Sequence, residues 1–153
     1  MKKILLTTLA IGLLVSCRKD DDNNNSNDIA SIVGTWKAVK KEVISGKDMK
    51  KILEIELSND CQKSSTFEFT TDNKYNVMSY DNFAGKCVIE DQFSISYSYN
   101  STTKKLTVKH SSAEAYEGTV EQLTTTKLQV MGEYLGDYDK DGTNDYERTY
   151  YER

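Results

Sequence analysis

Four carboxylates crowd into the nine residues Asp137-Tyr138-Asp139-Lys140-Asp141-Gly142-Thr143-Asn144-Asp145. Carboxylates at positions one, three, five and nine, a glycine at six and the Thr143 carbonyl at seven match the oxygen donors of a calcium loop, in which alternate groups point inward and glycine permits the sharp turn. Position twelve departs from that pattern, being Arg148 instead of a glutamate that gives two oxygens, with Glu147 one residue early. Two readings follow. Asp137, Asp139, Asp141, Thr143 and Asp145 hold calcium at the weak affinity of extracellular sites and rigidify a hairpin, or the stretch is a polar turn, since Asp-Gly and Asn-Asp are ordinary turn residues.

Other chemistry is poorly supplied. The 153 residues include one histidine, His110, whose neighbours Lys109, Ser111 and Ser112 offer no triad order. Glu42, Glu54, Glu56, Glu68, Glu114, Glu117 and Glu121 are scattered along polar-apolar runs, where solvated surface positions are the default. No catalytic residues and no organic cofactor are expected. Twenty basic against 24 acidic residues give a net charge of −4, and the chain lacks the cationic face that nucleic acid requires.

The three cysteines divide by position. Two lysines and a mostly apolar run from Ile4 to Val15 form a secretion signal, short of the about 20 apolar residues of a bilayer span. It ends in Leu14-Val15-Ser16-Cys17, which resembles the lipobox of bacterial lipoproteins, where cleavage precedes the cysteine and that cysteine is acylated. The resemblance implies a signal peptide over 1–16, lipidation at Cys17 and a membrane anchor. Removing residues 1–16 takes away Lys2 and Lys3 and leaves 137 residues at a net charge of −6.

Residues 17–30 then read as a tether. From Arg18 to Asp28 no apolar residue occurs, so little surface could be buried to offset the entropy of ordering. Lys19 followed by aspartates resembles export signals of lipoproteins sent to the outer face of the outer membrane, and surface display is read here over periplasmic retention. Cys61 and Cys87 remain as an even pair in an oxidising compartment, either bridged across 26 residues or two separate thiols. No neighbouring residues complete a zinc site.

These groups must be held by strands. In Phe93-Ser94-Ile95-Ser96-Tyr97-Ser98-Tyr99 every odd residue is large and every even one serine, which puts four large side chains on one sheet face. Seven further runs read as strands: 33–44, 66–69, 75–80, 105–110, 116–123, 128–134 and 146–151. Lys50 to Leu57 fits a short helix or a strand equally. Turn clusters at 71–74, 82–86, 100–104, 124–127 and 136–145 separate the runs, so residues 31–153 are expected to form one all-β domain, an eight-stranded antiparallel up-and-down barrel closed against edge pairing.

Gly34-Thr35-Trp36 at the head of the first strand is similar to the Gly-x-Trp of lipocalins, whose indole plugs the closed end of such a barrel. The order of Val33-Gly34-Thr35-Trp36, Cys61, Thr66-Phe67-Glu68-Phe69, Cys87, Lys105-Leu106-Thr107-Val108, Glu121-Gln122-Leu123-Thr124, Lys127-Leu128-Gln129-Val130 and Tyr150-Tyr151-Glu152-Arg153 resembles the lipocalin-like domain of small bacterial lipoproteins. The resemblance implies a base built from Gly34, Trp36 and a stacked arginine, Arg153 or Arg148, and a small apolar ligand in the open mouth. Phe67, Phe69, Phe93, Tyr97 and Tyr99 either wall that cavity or fill it. A filled barrel would make the chain a cell-surface structural or interaction protein, with a protein partner that the residues do not identify.

Overall fold

The computed structural model describes residues 30–109, 115–134 and 136–153. Its strands are β1 (Gly34–Ile44), β2 (Ile52–Leu57), β3 (Thr66–Phe69), β4 (Lys74–Phe83), β5 (Lys86–Asn100), β6 (Lys105–Lys109), β7 (Ala115–Leu123), β8 (Lys127–Glu133) and β9 (Tyr146–Glu152). Each pairs antiparallel with its neighbours in the sheet, and β1 pairs with β9 to close a barrel. No helix among the described residues is long and apolar enough to cross a membrane.

Nine strands fill eight barrel positions because β2 and β3 share one. Leu57 pairs with Lys40 and Phe67 with Trp36, so both follow β1 in the same direction and are separated by an excursion. The ambiguous run from Lys50 to Leu57 is thus resolved as a strand, its alternation serving β1 instead of a helix face. The excursion carries a 3-10 turn, Gln62–Ser64, and leans on β4, where Ser65 Oγ accepts the Tyr80 N–H at 2.9 Å. Cys61 in this excursion is disulfide-bonded to Cys87 on β5, with Cα atoms 5.5 Å apart.

Two expected boundaries move. The turn read over 82–86 contracts to Ala84-Gly85, both at positive φ between the paired residues Phe83 and Lys86, as a two-residue hairpin turn requires. β5 consequently begins seven residues before its alternating segment, and its first part is exposed on both faces, so no burial rhythm marks it. Within 93–100 the large odd residues are half-buried or buried and the serines exposed.

The core occupies the barrel's lower half. Trp36, Phe69, Tyr97, Leu106, Val120 and Leu128 meet there, with Phe69 stacked on Tyr75 at 4.6 Å and edge-on to Tyr97 at 4.9 Å between ring centroids. Trp36 is fully buried and donates its Nε1–H to the Ile32 carbonyl at 2.8 Å. The Arg153 guanidinium lies 4.1 Å from the Trp36 ring centroid and donates to the carbonyls of Val33 at 2.8 Å and Thr125 at 2.6 Å. Gly34 sits at φ 132°, and a Cβ there would overlap that guanidinium, so the backbone conformation and the stacked arginine both require glycine. Arg148 takes no part in this base.

Candidate functional site

Above this floor the interior is not filled. A cavity of about 310 Å³ remains, lined by the apolar side chains of Phe69, Phe93, Ile95, Leu106, Val108 and Val130 and by the polar ones of Tyr75, Tyr116, Glu147, Thr149 and Tyr151. The volume falls at the small end of ligand sites, which run from about 300 to 1,000 Å³. Tyr97 fills the base and Phe93 lines open space, while Phe69 does both. The aromatic residues singled out by alternation therefore divide between core and wall.

Strand β9 supplies most of the polar lining, because its period of two sends Glu147, Thr149 and Tyr151 inward together. Thr149 Oγ1 donates to Glu147 Oε1 at 3.2 Å, and Lys41 Nζ stands 3.9 Å from the same oxygen. Burial pushes the Tyr116 phenol up to about 12, aided by the negative charge of Glu147. Burial also raises Tyr75 and Tyr151, partly opposed by the hydrogen bond of Tyr75 with Tyr151 and of Tyr151 with Thr149. All three phenols are neutral near pH 7 and available as donors and acceptors. Gly132 makes room for one of them: a Cβ at that position would overlap the Tyr116 ring.

The outer surface carries a different assembly. A bulge after Ala38 pairs Ala38 with inward Tyr151 but Lys40 with Tyr150 and Glu42 with Arg148, turning Lys40 and Glu42 to the outside. A second bulge, between Val120 and Gln122, lets Glu121 share a site with Gln129. Arg148 then bridges both carboxylates, through Nε and Nη2 to Glu121 at 2.6 and 3.2 Å and through Nη1 to Glu42 at 3.3 Å. Lys40 and the Tyr150 hydroxyl complete the shell of Glu42 at 2.7 and 2.8 Å. Burial pushes the Glu42 carboxyl up, but the hydrogen bonds from Lys40, Tyr150 and Arg148 outweigh it and hold it below the usual carboxylate range. Glu42, 4 % exposed, thus corrects the expectation of a solvated surface carboxylate.

The acidic loop between β8 and β9 lies at the barrel mouth beside the β1–β2 turn. Asp145 is fully buried, with Oδ1 accepting the Gly46 N–H at 3.0 Å and Oδ2 the Tyr138 N–H at 2.6 Å. The Gly46 N–H is the largest influence holding the Asp145 carboxyl low, against its burial. Asp137 caps the turn, accepting from Asp141 N–H at 2.9 Å and Gly142 N–H at 2.7 Å. One oxygen each of Asp137, Asp139 and Asp145 lie within 4.8 Å of one another. Asp139 Oδ2 meets Lys51 at 3.0 Å, while its Oδ1 is buried with no hydrogen-bond partner among the described residues. Asp141 stands outside this trio, its Oδ1 instead accepting the Thr143 N–H at 3.0 Å.

Alternation could locate the aromatic wall but not Glu147. In Tyr146-Glu147-Arg148-Thr149-Tyr150-Tyr151 both faces mix polar and aromatic residues, so the sequence carries no sign of which set faces in. Cys17, His110 and Glu114 lie outside the described residues.

A family model described as a lipocalin-like domain matches residues 32–130. Among solved structures, bovine odorant-binding protein in a deswapped triple mutant is 11% identical with a TM-score of 0.41, over 78% of this chain and 72% of that one. A dog lipocalin allergen is 12% identical with a TM-score of 0.42, over 81% and 74%. The complex of bovine odorant-binding protein with undecanal is 10% identical with a TM-score of 0.42, over 82% and 73%. A search of the curated proteins found no match.

Proposed function

This chain belongs to the lipocalin-like domain family, and from that premise we propose that it is a lipid-anchored envelope protein whose barrel binds a small apolar ligand. One observation carries the binding reading: a cavity of about 310 Å³, lined mostly by apolar and aromatic side chains, stays open inside the barrel. The competing reading, a structural or interaction protein with a solid barrel, needs that space occupied. Anchoring rests on Leu14-Val15-Ser16-Cys17 and on the polar, acidic stretch that follows, which would hold the barrel off the outer membrane on the cell surface. Native mass spectrometry of protein released from its own host tests the binding reading. A stoichiometric small apolar molecule is expected on the barrel, and a barrel that is ligand-free and takes up no added apolar compound refutes it.

The second reading is calcium at the mouth, favoured by the buried, unpartnered Asp139 Oδ1 beside Asp137 and Asp145. The donors are all hard oxygens, and the two carboxylates already bonded to backbone N–H groups retain lone pairs for a cation. Asp137, Asp139 and Asp145 would hold the ion and stiffen the β8–β9 connection. Millimolar calcium should then raise the melting temperature of the wild type and not of Asp139→Asn, and an unchanged wild-type melt leaves the loop as a polar turn.

A further inference from the structure

A cavity for purely apolar molecules has no use for a carboxylate, yet Glu147 is part of this cavity's wall. Thr149 Oγ1 and Lys41 Nζ both approach it at Oε1. Lys41, paired with Thr149 on the same face, is about half exposed and is not among the lining residues, so water shares its ammonium and the charge in the wall itself is the Glu147 carboxylate. Tyr116, Thr149 and Tyr151 stand near the carboxylate, while Phe93 and Ile95 on β5, four strands from β9 in either direction round the barrel, form the facing wall. The β9 side of the space is therefore anionic and hydrogen-bonding and the β5 side apolar.

Resting on the binding reading above, we infer that the preferred ligand is a cationic amphiphile, a primary or secondary alkylamine whose ammonium pairs with Glu147 and whose chain lies against the apolar wall. An alcohol or aldehyde of the same length satisfies the hydroxyls but leaves the carboxylate without a counter-charge. A fatty acid places like charges together. A charge-assisted hydrogen bond in a partly desolvated site sets the amine's advantage over the alcohol at about tenfold or more.

The test is competition of n-octylamine, 1-octanol and octanoate, near pH 7, against the fluorescent probe N-phenyl-1-naphthylamine bound to the wild type, Glu147→Gln and Lys41→Gln. Octylamine should displace the probe at least about tenfold more effectively than octanol, with octanoate weakest. Glu147→Gln should bring amine and alcohol together, and Lys41→Gln should keep or widen the gap. Equal displacement by all three in the wild type overturns this inference and leaves the binding reading standing, as does an amine preference that survives Glu147→Gln. A probe that never binds overturns both. Should Glu147→Gln not fold, Lys41→Gln, at a half-exposed position, still discriminates, because an amine preference that shrinks when Lys41 is neutralised contradicts the assignment.

Discussion

Replacing Arg148 with methionine removes the cation on β9 that joins two outer-face carboxylates, Glu42 on β1 and Glu121 on β7. Three charge-assisted hydrogen bonds disappear, at 2.6, 3.2 and 3.3 Å, and Glu42 at 4 % exposure keeps only Lys40 and Tyr150. Breaking a fully buried ion pair from one side costs about 3–5 kcal/mol. Here Glu121 remains a quarter exposed and Arg148 about a fifth, so water screens part of the interaction and about 2 kcal/mol is expected. For a folded domain spanning residues 31–153 that lowers Tm by about 8 °C. The pH dependence adds a second readout. The Glu42 carboxyl is held low in the folded state, so its stabilisation is present above the unfolded carboxylate value and is lost as pH falls through the folded one. Without Arg148 the folded value rises toward the unfolded one, so the acid-dependent loss shrinks and the stabilities of the two proteins converge as pH falls. Urea denaturation of wild type and Arg148→Met from about pH 7 to pH 3 measures both effects. A loss under about 0.5 kcal/mol, or identical acid limbs, would refute the reasoning.

Replacing Cys61 and Cys87 together by serine should cost about 3 kcal/mol in non-reducing denaturation, from the 26-residue loop the bond closes, and equal stability would show that the crosslink leaves the unfolded chain unconstrained. Arg153→Ala removes the cation over Trp36 and its carbonyl contacts, so stability should fall by about 1–2 kcal/mol with a shift in tryptophan emission; an unchanged spectrum and melt would contradict the stacked base. Mass spectrometry of the membrane form should find acyl chains on Cys17, and an unmodified terminus would remove the anchor from the proposed function.

The barrel is legible in the sequence wherever burial has a rhythm. Phe93 to Tyr99 shows its inward face by alternation, and Gly34-x-Trp36 marks the base because an indole and a stacked arginine impose glycine's φ. What the sequence hides are the places where rhythm breaks for backbone reasons. The bulge near Val39 inverts the facing of Lys40 and Glu42, the one at Glu121 inverts that of Gln122 and Leu123, and no side chain announces a bulge. The lengthened β4–β5 hairpin is exposed on both sides at its tip, so its residues obey no pattern. In the acidic loop, spacing counts Asp141 among converging groups, but its side chain holds the Thr143 N–H in a local turn, a competition between backbone and ligand that spacing cannot weigh.

The central claim is that the barrel interior is a binding site, and equilibrium titration with N-phenyl-1-naphthylamine of wild type beside Val108→Trp tests it most directly. Val108 lines the cavity, so an indole there occupies the space without touching the outer network or the loop. Saturable one-to-one binding by the wild type, lost in a Val108→Trp protein that remains folded, is the predicted result. Equal binding by both proteins, or none by the wild type, would contradict it.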